Sequence, residues 1–434
     1  MSDIPSSGET AALPGTTSVS ERELDGAVVT SRAWWRWLVA FVLLAAVVTG
    51  FFDRISIAVL FTDKAFNSAL GTNFQPLALG LLMTAFLFSY AISALLLSFV
   101  GDLYGARRTL GYAAGAWGVL MILMGGCRSY TAMIAYRIAL GIAEGPQFSL
   151  ISGAIRRWFP TREQARANSI WMIGSPLGSA IGFPLTIWLV ATFGWRSSFY
   201  VLGFLTLILV MPLIFVVMRG PPQPAAPDER ASAASHEGVG PMETVWDIIK
   251  TPRIWMLCGY GTGMLTFLWG LNGWLPTYLQ RVRHFNIHQM GFYSSLPFAL
   301  MFIAEVASGY IADKTNKRAR NSLYGLCSAG VLLFLATLVS DGHLSAILIA
   351  LSTAALGFGS PTHYALAMRV LPPALTSTGI GIINGVGNLL GALAPTLIGW
   401  IIARTGNFQT GLLVIVFASI LGGFSLIPLV RAKL

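Results

Sequence analysis

Two pairs of opposite charges lie within apolar sequence. Asp53 and Arg54 are adjacent in "FFDRISIAVL", near the end of an apolar run that begins at Trp34, and Arg137 and Glu144 lie in "MIAYRIALGIAEGPQFSLISGAI". The second two are seven residues apart, almost two helical turns, so they share a helix face. A lone charge at a bilayer centre costs about 2.5–3.5 kcal/mol on insertion scales. If these runs cross a membrane, the four side chains must face one another or a watery cavity.

Two acids beside two bases are compatible with two arrangements. One is a static salt-bridge cluster that locks the helices together. The other is a site for an anion and a proton, and we favour it. An arginine is always charged and grips a carboxylate through two hydrogen bonds, whereas a carboxyl group in a partly dry cavity can become neutral near physiological pH and carry a proton.

The composition requires a membrane around these charges. Of the 434 residues, 55% are hydrophobic and only 11% are charged, against about 25% charged in soluble domains. Apolar stretches of the length that spans a bilayer recur along the chain. The net charge of +10 is typical of basic loops that orient a membrane protein, and no polar domain remains to bind nucleic acid.

No enzyme or cofactor chemistry is visible in the sequence. Cys127, Cys258 and Cys327 are widely spaced and form neither a disulfide framework nor a metal motif. No nucleotide-binding loop and no soluble catalytic or signalling domain is present, so we expect no metal, no cofactor and no enzymatic activity. The fold class we predict is an all-α membrane protein.

Twelve transmembrane helices are predicted, divided six plus six by the Pro- and Ala-rich stretch "RGPPQPAAPDERASAASHEGVGPMETVWDIIK". The predicted domains are a disordered cytoplasmic tail (1–33), an N-terminal six-helix half (34–218), a cytoplasmic linker (219–252) and a C-terminal six-helix half (253–434). Lys and Arg are more numerous in the loops on the side of the termini. Both termini are therefore predicted to be cytoplasmic.

Similar charged loops follow the second span of each half. "VGDLYGARR" carries Asp102, Arg107 and Arg108, and "GYIADKTNKR" carries Asp313 and Lys314. Any cytoplasmic loop can collect charge, but the same acidic-then-basic order at the same position favours an internal repeat. Two six-helix halves related as parallel repeats are a known transporter plan, and we expect these five residues to form its gating loops.

Other polar residues in the spans are candidates for substrate contact: Tyr90, Trp274, Tyr278, Tyr364, Asn384 and Asn388. Pro276 lies between the two aromatic residues of span seven and is a residue that can break a helix. The asparagines are one turn apart in "GIGIINGVGNLLGALAP" and share a face. Interhelical hydrogen bonding and ligand contact both remain open for them.

Glu305 and His363 have less specific surroundings. Glu305 lies two turns before Asp313, which favours a structural role at the gate and its basic loop. His363 is beside Tyr364, and a lone histidine in a span is usually hydrogen-bonded to a neighbour, although substrate contact is an alternative.

Taken in order, several segments resemble one family of transporters. They are "DR" at the end of span one, "RIALGIAEGP", "RRWFPTREQARA", "GSPLGSAIGFPL", "FGWRSSF", "WLPTYL" and "INGVGNLLG". Together they cover nearly the whole membrane region. The chain resembles the major facilitator superfamily, and within it the anion:cation symporter family, which includes bacterial sugar-acid, tartrate and phthalate permeases.

The resemblance implies roles for individual positions. Asp53 and Glu144 match the acidic residues that take part in proton coupling in sugar-acid members. Arg54 matches the residue that contacts the substrate carboxylate, and Arg137 matches the one that tunes its acidic partner. Tyr90 matches a binding-site tyrosine, and Asn384 or Asn388 matches a binding-site asparagine.

Two departures from the family pattern bear on gating and specificity. In "SFVGDLYGARR", Ser98 replaces a glycine and Leu103 replaces an arginine of the family's loop, so gating is expected to rest on Asp102 with Arg107 and Arg108. Tyr364 stands where many members have a tryptophan, which alters the substrate pocket.

The sequence thus predicts a multi-pass permease of the cell inner membrane. We expect it to import a small organic anion, such as a carboxylate, sugar acid or sulfonate, together with protons and by alternating access. Its partners would be that anion, protons and the lipid bilayer, and we expect a monomer. The alternative is an anion exchanger or exporter of the same fold.

Overall fold

The computed structural model describes residues 19–97, 100–219, 249–315, 317–371 and 376–432. Side chains are described from Trp34 onward in these ranges, except at 102, 161, 162, 165, 312–315 and 376–378. The predicted tail up to residue 18, most of the predicted linker and Ser98 lie outside the described residues. The regular structure within these ranges is helical throughout.

Twelve helical spans follow one another. They are Trp34–Leu60, Pro76–Leu97, Ala106–Gly125, Tyr130–Trp158, Arg166–Phe193, Trp195–Val217, Pro252–Arg281, Ile287–Thr315, Arg318–Leu338, Gly342–Val370, Gly379–Thr405 and Phe408–Arg431. Eleven are long and apolar enough to cross a membrane by composition. The remaining one, Ala106–Gly125, has 20 residues. It starts with two arginines and is rich in Gly and Ala, which lowers its hydropathy.

The start of the first helix differs from expectation. This helix begins at Val19 rather than after residue 33, so the prediction of a disordered tail is wrong for 19–33; a helix propagates readily once a long span has nucleated it. Span seven runs unbroken through Pro276 from Pro252 to Arg281. Neighbouring helices can satisfy the carbonyl that a proline leaves free.

Interruptions occur instead in other spans. Span four divides into Tyr130–Glu144 and Gln147–Trp158, and span eleven divides into Thr376–Gly391 and Ala394–Thr405. Both breaks carry sequence that disfavours a continuous helix, Gly145–Pro146 in the first and Ala394–Pro395 near the second. The break in span four directly follows Glu144, one of the charged candidates.

Helix packing repeats between the two halves. In the first half, span one packs on span five, span two on span four, and span three on span six. In the second half the equivalent pairs recur: seven on eleven, eight on ten, and nine on twelve. The halves meet through span two against span eleven and span five against span eight. In the repeat, span eight corresponds to span two and span eleven to span five. Each of these two contacts is therefore the counterpart of the other, as a parallel repeat requires.

The two faces of the bundle differ in how the halves meet. We use the term terminal face for the side of the bundle on which the first span begins, at Trp34, and the last span ends, at Arg431. The opposite side, which carries Leu60 and Pro76, is called the far face. Hydrogen bonds and ring contacts between the halves are concentrated towards the far face. Thr84 on span two donates to the carbonyl of Ala392, and Thr396 donates to Thr84, both at 2.7 Å.

A glycine allows this close approach of spans two and eleven. A Cβ added at Gly80 would collide with the backbone carbonyl of Pro395. Aromatic pairs extend the contact on either side, with Phe61 against Trp274 at 5.5 Å and Phe183 against Phe298 at 5.6 Å between ring centroids. The bundle is therefore closed at the far face.

Candidate functional site

A buried arginine of span one is bonded to span four. The Nε of Arg54 donates to Oε2 of Glu144 at 2.9 Å, and its Nη2 donates to Oε1 of Gln147 at 3.1 Å. Arg54 is 1% exposed and Glu144 is 0% exposed. Gln147 is oriented by its own bond from Nε2 to the carbonyl of Ala46 at 2.8 Å. The geometry leaves one donor, Nη1 of Arg54, with no hydrogen-bond partner in the described part of the chain.

Aromatic rings surround the guanidinium of Arg54. Its central carbon lies 4.5 Å from the ring centroid of Tyr90, 4.8 Å from that of Phe51 and 5.4 Å from that of Phe148. Such cation–π contacts are strongest where water is excluded. They hold the guanidinium in place without neutralising its charge. An anion that reaches Nη1 would therefore meet a fixed, pre-oriented cation.

Asp53 is the carboxylate of this group that lacks a partner. Its side chain is 0% exposed, and neither carboxylate oxygen has a hydrogen-bond partner among the described residues. Its backbone carbonyl accepts from Ser56 Oγ at 3.1 Å and from Arg137 Nη1 at 3.5 Å. The adjacent pair in sequence is thus not an ion pair in space, because neighbouring positions on a helix point in different directions.

Arg137 is tied to backbone and to sulfur. Its Nε donates to the carbonyl of Leu82 at 3.1 Å, and Nη2 lies 3.9 Å from the sulfur of Met83. Its guanidinium carbon is 4.5 Å from the ring centroid of Phe86. Arg137 shares a buried helix face with Glu144, as predicted. The ion pair of Glu144 recorded in the described chain is nevertheless with Arg54.

The interruption of span four brings Glu144 close to span two. Gly145 follows Glu144, and a Cβ added there would lie 2.6 Å from the Cβ of Ser93 and 2.7 Å from the carbonyl of Tyr90. Only glycine allows so close an approach of two backbones. Ser93 reinforces the contact by donating to the carbonyl of Ile142 at 2.6 Å. This packing sets Tyr90 beside the Arg54–Glu144 pair.

The second half supplies the opposite wall. Phe51 stacks on Trp269 of span seven, with ring centroids 6.3 Å apart and an interplanar angle of 15°. Trp269 donates to Oδ1 of Asn388 at 3.2 Å, and Asn388 donates to Oδ1 of Asn384 at 3.0 Å. Both asparagines are half-buried on one helix face, as predicted. Asn388 is bonded both to Asn384 and to Trp269, so Asn388 links span eleven to span seven.

Tyr364 of span ten is half-buried, and its ring lies 5.5 Å from the ring of His363 between centroids.

Trp274 and Tyr278, by contrast, belong to the packing of the far face. Trp274 is 0% exposed and donates to the carbonyl of Pro395 at 2.9 Å. The hydroxyl of Tyr278 accepts from Arg283 Nε at 2.9 Å and lies 3.4 Å from Ser345 Oγ. The polar atoms of both residues are engaged, and the structure does not bring these residues to Arg54.

The predicted gating loops are only partly described. Arg107 donates through Nε and Nη2 to the carbonyl of Phe215, at 3.1 and 2.8 Å, and Arg108 is exposed. The side chains of Asp102, Asp313 and Lys314 lie outside the described residues. Of these two arginines, Arg107 is bonded to the end of span six.

Glu305 and His363 lie in the C-terminal half. Glu305 accepts a hydrogen bond from Ser360 of span ten at 3.3 Å. The side chains at 312–315 of the basic loop lie outside the described residues, so the role of Glu305 at the gate stays a prediction. His363 is 0% exposed, and neither ring nitrogen has a hydrogen-bond partner in the described ranges. It stacks on Tyr260 with 4.3 Å between ring centroids. The expectation that His363 is hydrogen-bonded to a neighbour is therefore wrong within the described part of the chain.

Several residues of the site were missed by sequence reasoning. Gln147 follows Glu144 by three positions and Phe51 precedes Arg54 by three, so helical spacing from the charged residues was the available signal. Phe148 follows Glu144 by four positions and had the same signal, whereas Trp269 had none. Among the described residues, no group of three or more His, Cys, Asp or Glu side chains is placed to hold a metal ion.

Residues 42–395 match the Major Facilitator Superfamily. The chain belongs to this superfamily. Its relatives include the probable sulfoacetate transporter of Cupriavidus necator, 27% identical over 83% of this chain and 85% of the relative. The probable galactarate/D-glucarate transporter of Bacillus subtilis is 26% identical over 88% of this chain and 89% of the relative. The predicted resemblance is therefore confirmed, and the chain is a membrane transporter rather than an enzyme.

Solved structures confirm the fold. A bacterial homologue of the human lysosomal transporter Spinster, in an inward-facing and unoccupied conformation, aligns with a TM-score of 0.72 at 18% identity over 92% of this chain and 94% of that one. The D-xylose-proton symporter aligns with a TM-score of 0.70 at 13% identity over 89% of this chain and 97% of that one. The predicted fold class, two six-helix halves of the major facilitator type, is confirmed.

Proposed function

We propose that this transporter imports a small organic anion together with protons across the cell inner membrane. The observation that carries the proposal is the state of Arg54, which is bonded to Glu144 at 2.9 Å and retains an unpartnered Nη1. A buried ion pair is weak evidence of stabilisation, because desolvation offsets most of its attraction. A functional reason for keeping it here is that an anion can compete for the same guanidinium.

Competition for Arg54 supplies the coupling. When Glu144 gains a proton it loses its charge, and Arg54 is left as an uncompensated cation that binds the carboxylate or sulfonate of the substrate through two hydrogen bonds. When Glu144 loses the proton it returns to Arg54 and the anion is released. Because one guanidinium serves either partner, substrate and proton travel together.

Asp53 is proposed as a second proton-coupling residue. Its buried carboxyl has no hydrogen-bond partner in the described part of the chain, and burying an unpaired charge is expensive. The guanidinium of Arg137 lies against the Asp53 backbone carbonyl. Arg137 is proposed to tune the group by contributing positive charge rather than by contacting the substrate.

The end of the substrate that is remote from Arg54 is proposed to contact Tyr364, Asn384 and Asn388. Tyr90 is proposed to contact the end that binds Arg54. Tyr90 belongs to the first half and the other three residues to the second, so on this proposal the two halves close around a molecule between them. Trp274 and Tyr278 are proposed to act in closing the far face, because their polar atoms are already bonded there.

Alternating access is proposed to proceed by rocking of the two halves. Positive residues predominate in the loops of the terminal face, which we assign to the cytoplasm. The closed far face would then be the outer one. Opening it requires separation of span two from span eleven, while the loops carrying Asp102, Arg107, Arg108, Asp313 and Lys314 would close the cytoplasmic side.

The test is uptake and competition in proteoliposomes at two external pH values. The panel contains a short sulfonate, a sugar acid, an aromatic carboxylate, the neutral amide of each acid, and an organic cation. Anions should compete, amides should not, and uptake should be faster at acidic external pH. Potent inhibition by the cation alone would point to a drug exporter. Uptake that depends on an internal anion but not on the pH gradient would favour the exchanger.

A further inference from the structure

Basic side chains predominate at the far face of the bundle. The connections between spans on this face all lie within the described residues, and their acidic residues are Asp63 and Asp341. Each of these two accepts a hydrogen bond from a backbone amide at the start of a helix, at 2.6 and 2.7 Å. The basic residues of the same connections are Lys64, Arg128, Arg196, Arg281, Arg283 and Arg404. An anion is therefore attracted to this face while the face is still closed.

One of these basic residues, Arg281, ends span seven at the contact between the two halves. Its guanidinium carbon lies 3.3 Å from the ring centroid of Phe74, which belongs to the connection between spans one and two. The same ring stacks on Phe408 at the start of span twelve, with centroids 6.5 Å apart and an interplanar angle of 29°. Phe74 of the first half thus lies against two residues of the second half at the rim of the closed face.

The backbone holds Phe74 at this rim in an unfavourable conformation. Asn73 and Phe74 have φ angles of 43° and 54°, in the left-handed region that residues with a Cβ rarely adopt. The buried side chain of Asn67 fixes this turn. Its Oδ1 accepts from the amide of Phe74 at 3.1 Å, and its Nδ2 donates to the carbonyl of Phe61 at 2.9 Å. Backbone strain that the surrounding structure enforces is found most often at functional positions.

The contact with Phe74 leaves the charge of Arg281 uncompensated. An aromatic ring attracts a cation through its quadrupole but has no net charge. Within the described part of the chain, the guanidinium of Arg281 has no hydrogen-bond or ion-pair partner, and the side chain is exposed. Its planar donors therefore remain available to a carboxylate or sulfonate, which can accept two hydrogen bonds from them.

Arg283, two residues further along the chain, has donors that are already engaged. Its Nε donates to the hydroxyl of Tyr278 at 2.9 Å, its Nη1 to the carbonyl of Ser340 at 3.3 Å, and its Nη2 to the carbonyl of Ala336 at 2.8 Å. These bonds join the end of span seven to the end of span nine. The structural link at this place is therefore made by Arg283, and Arg281 is left for another role.

We propose that Arg281 is the first contact of the transported anion at the far face, a low-affinity site at which Phe74 holds the guanidinium on the rim of the closed bundle. The ligand is the small carboxylate or sulfonate that Arg54 is proposed to bind, so this inference rests on the proposed function. When the halves separate at the far face, Phe74 moves away from Arg281 and the anion is passed into the opened cavity.

The test is the kinetics of anion uptake by the full-length protein in proteoliposomes with the far face outward, at ionic strengths of about 10 mM and about 150 mM. The anion is one that competes in the uptake panel. The variant is Arg281→Glu. The matched control is Arg196→Glu, which makes the same change of charge on the same face. Arg196 also lies over an aromatic ring, 4.2 Å from the centroid of Trp195, but that contact is within the first half.

Arg281→Glu should raise KM about tenfold or more at the lower ionic strength, with kcat within about twofold of wild type. The difference in KM should shrink at the higher ionic strength, because exposed charges are screened. The control should stay within about twofold in both parameters. Should Arg281→Glu not fold, Arg281→Gln is compared with Arg196→Gln, and a rise in KM of about threefold is expected for Arg281→Gln alone.

Three results would overturn this inference while anion uptake by the wild type upholds the proposed function. They are an unchanged KM in the Arg281 variant, an equal rise in KM in the variant and its control, and a fall in kcat with KM unaltered, which would show a structural role at the rim. If the wild type takes up no anion of the panel, the proposed function fails and this inference fails with it.

Discussion

Arg54 and Glu144 come from spans 90 residues apart in sequence and meet at 2.9 Å in the interior of the first half. Asp53, the immediate neighbour of Arg54, stays unpartnered among the described residues. In the proposed mechanism, the acid that competes with an incoming anion is therefore Glu144, and different effects are expected when Glu144, Asp53 and Arg54 are replaced.

Replacing Glu144 by glutamine should abolish proton-driven accumulation while substrate exchange persists. Glutamine keeps the size of the side chain and can still accept from Arg54, but it cannot take up and release a proton. Proteoliposomes under an imposed pH gradient provide the measurement, and Glu163→Gln at the terminal face is the control. Normal accumulation by the Glu144 variant would leave only a structural role for this residue.

Replacing Asp53 by asparagine should impair coupling with little change in folding. The carboxylate makes no hydrogen bond in the described part of the chain, so its loss should alter the free energy of unfolding by less than about 1 kcal/mol. Melting temperature and gradient-driven uptake are measured on the same preparation. A large fall in melting temperature with coupling intact would contradict this role and favour a static charge cluster.

Replacing Arg54 by lysine should weaken substrate binding about tenfold or more, because lysine retains the charge but loses the planar two-bond grip. It also loses one of the donors that now reach Glu144 and Gln147. Binding is measured by thermal shift with the anion identified in the uptake panel. Arg404→Lys, exposed at the far face, is the control. Affinity within about twofold of wild type would argue that Arg54 only neutralises Glu144.

Replacing Gly80 by valine should prevent closure of the far face. Its side chain would meet the Pro395 backbone, and overpacking of this kind costs about 1–3 kcal/mol. Cysteine accessibility at Thr84, compared in the presence and absence of the valine, reports the population open at that face. Gly153→Val is the control, because a Cβ there meets nothing within 4 Å. Equal accessibility in the two backgrounds would show that spans two and eleven do not form the closing contact.

The sequence alone was sufficient for the fold class and for the inventory of charged residues. Hydropathy identifies spans because each helix must satisfy its own backbone in lipid, and charge inside a span is visible by position. The repeat was detectable from the paired loops after spans two and eight. Helical spacing also placed Arg137 and Glu144 on one face and Asn384 and Asn388 on another, because that relation is local.

Only the tertiary structure decided which charges pair and which aromatic residues reach the site. Arg54 has Asp53 beside it in sequence, but its bonded acid is Glu144 of span four, which helix packing brings within 2.9 Å. Trp274 has the residue type of a binding-site side chain, but packing places its N–H on Pro395. Pairing and orientation follow from how helices that are distant in sequence pack together. The spacing of residues along the chain carries little information about the distance in space between residues on different helices.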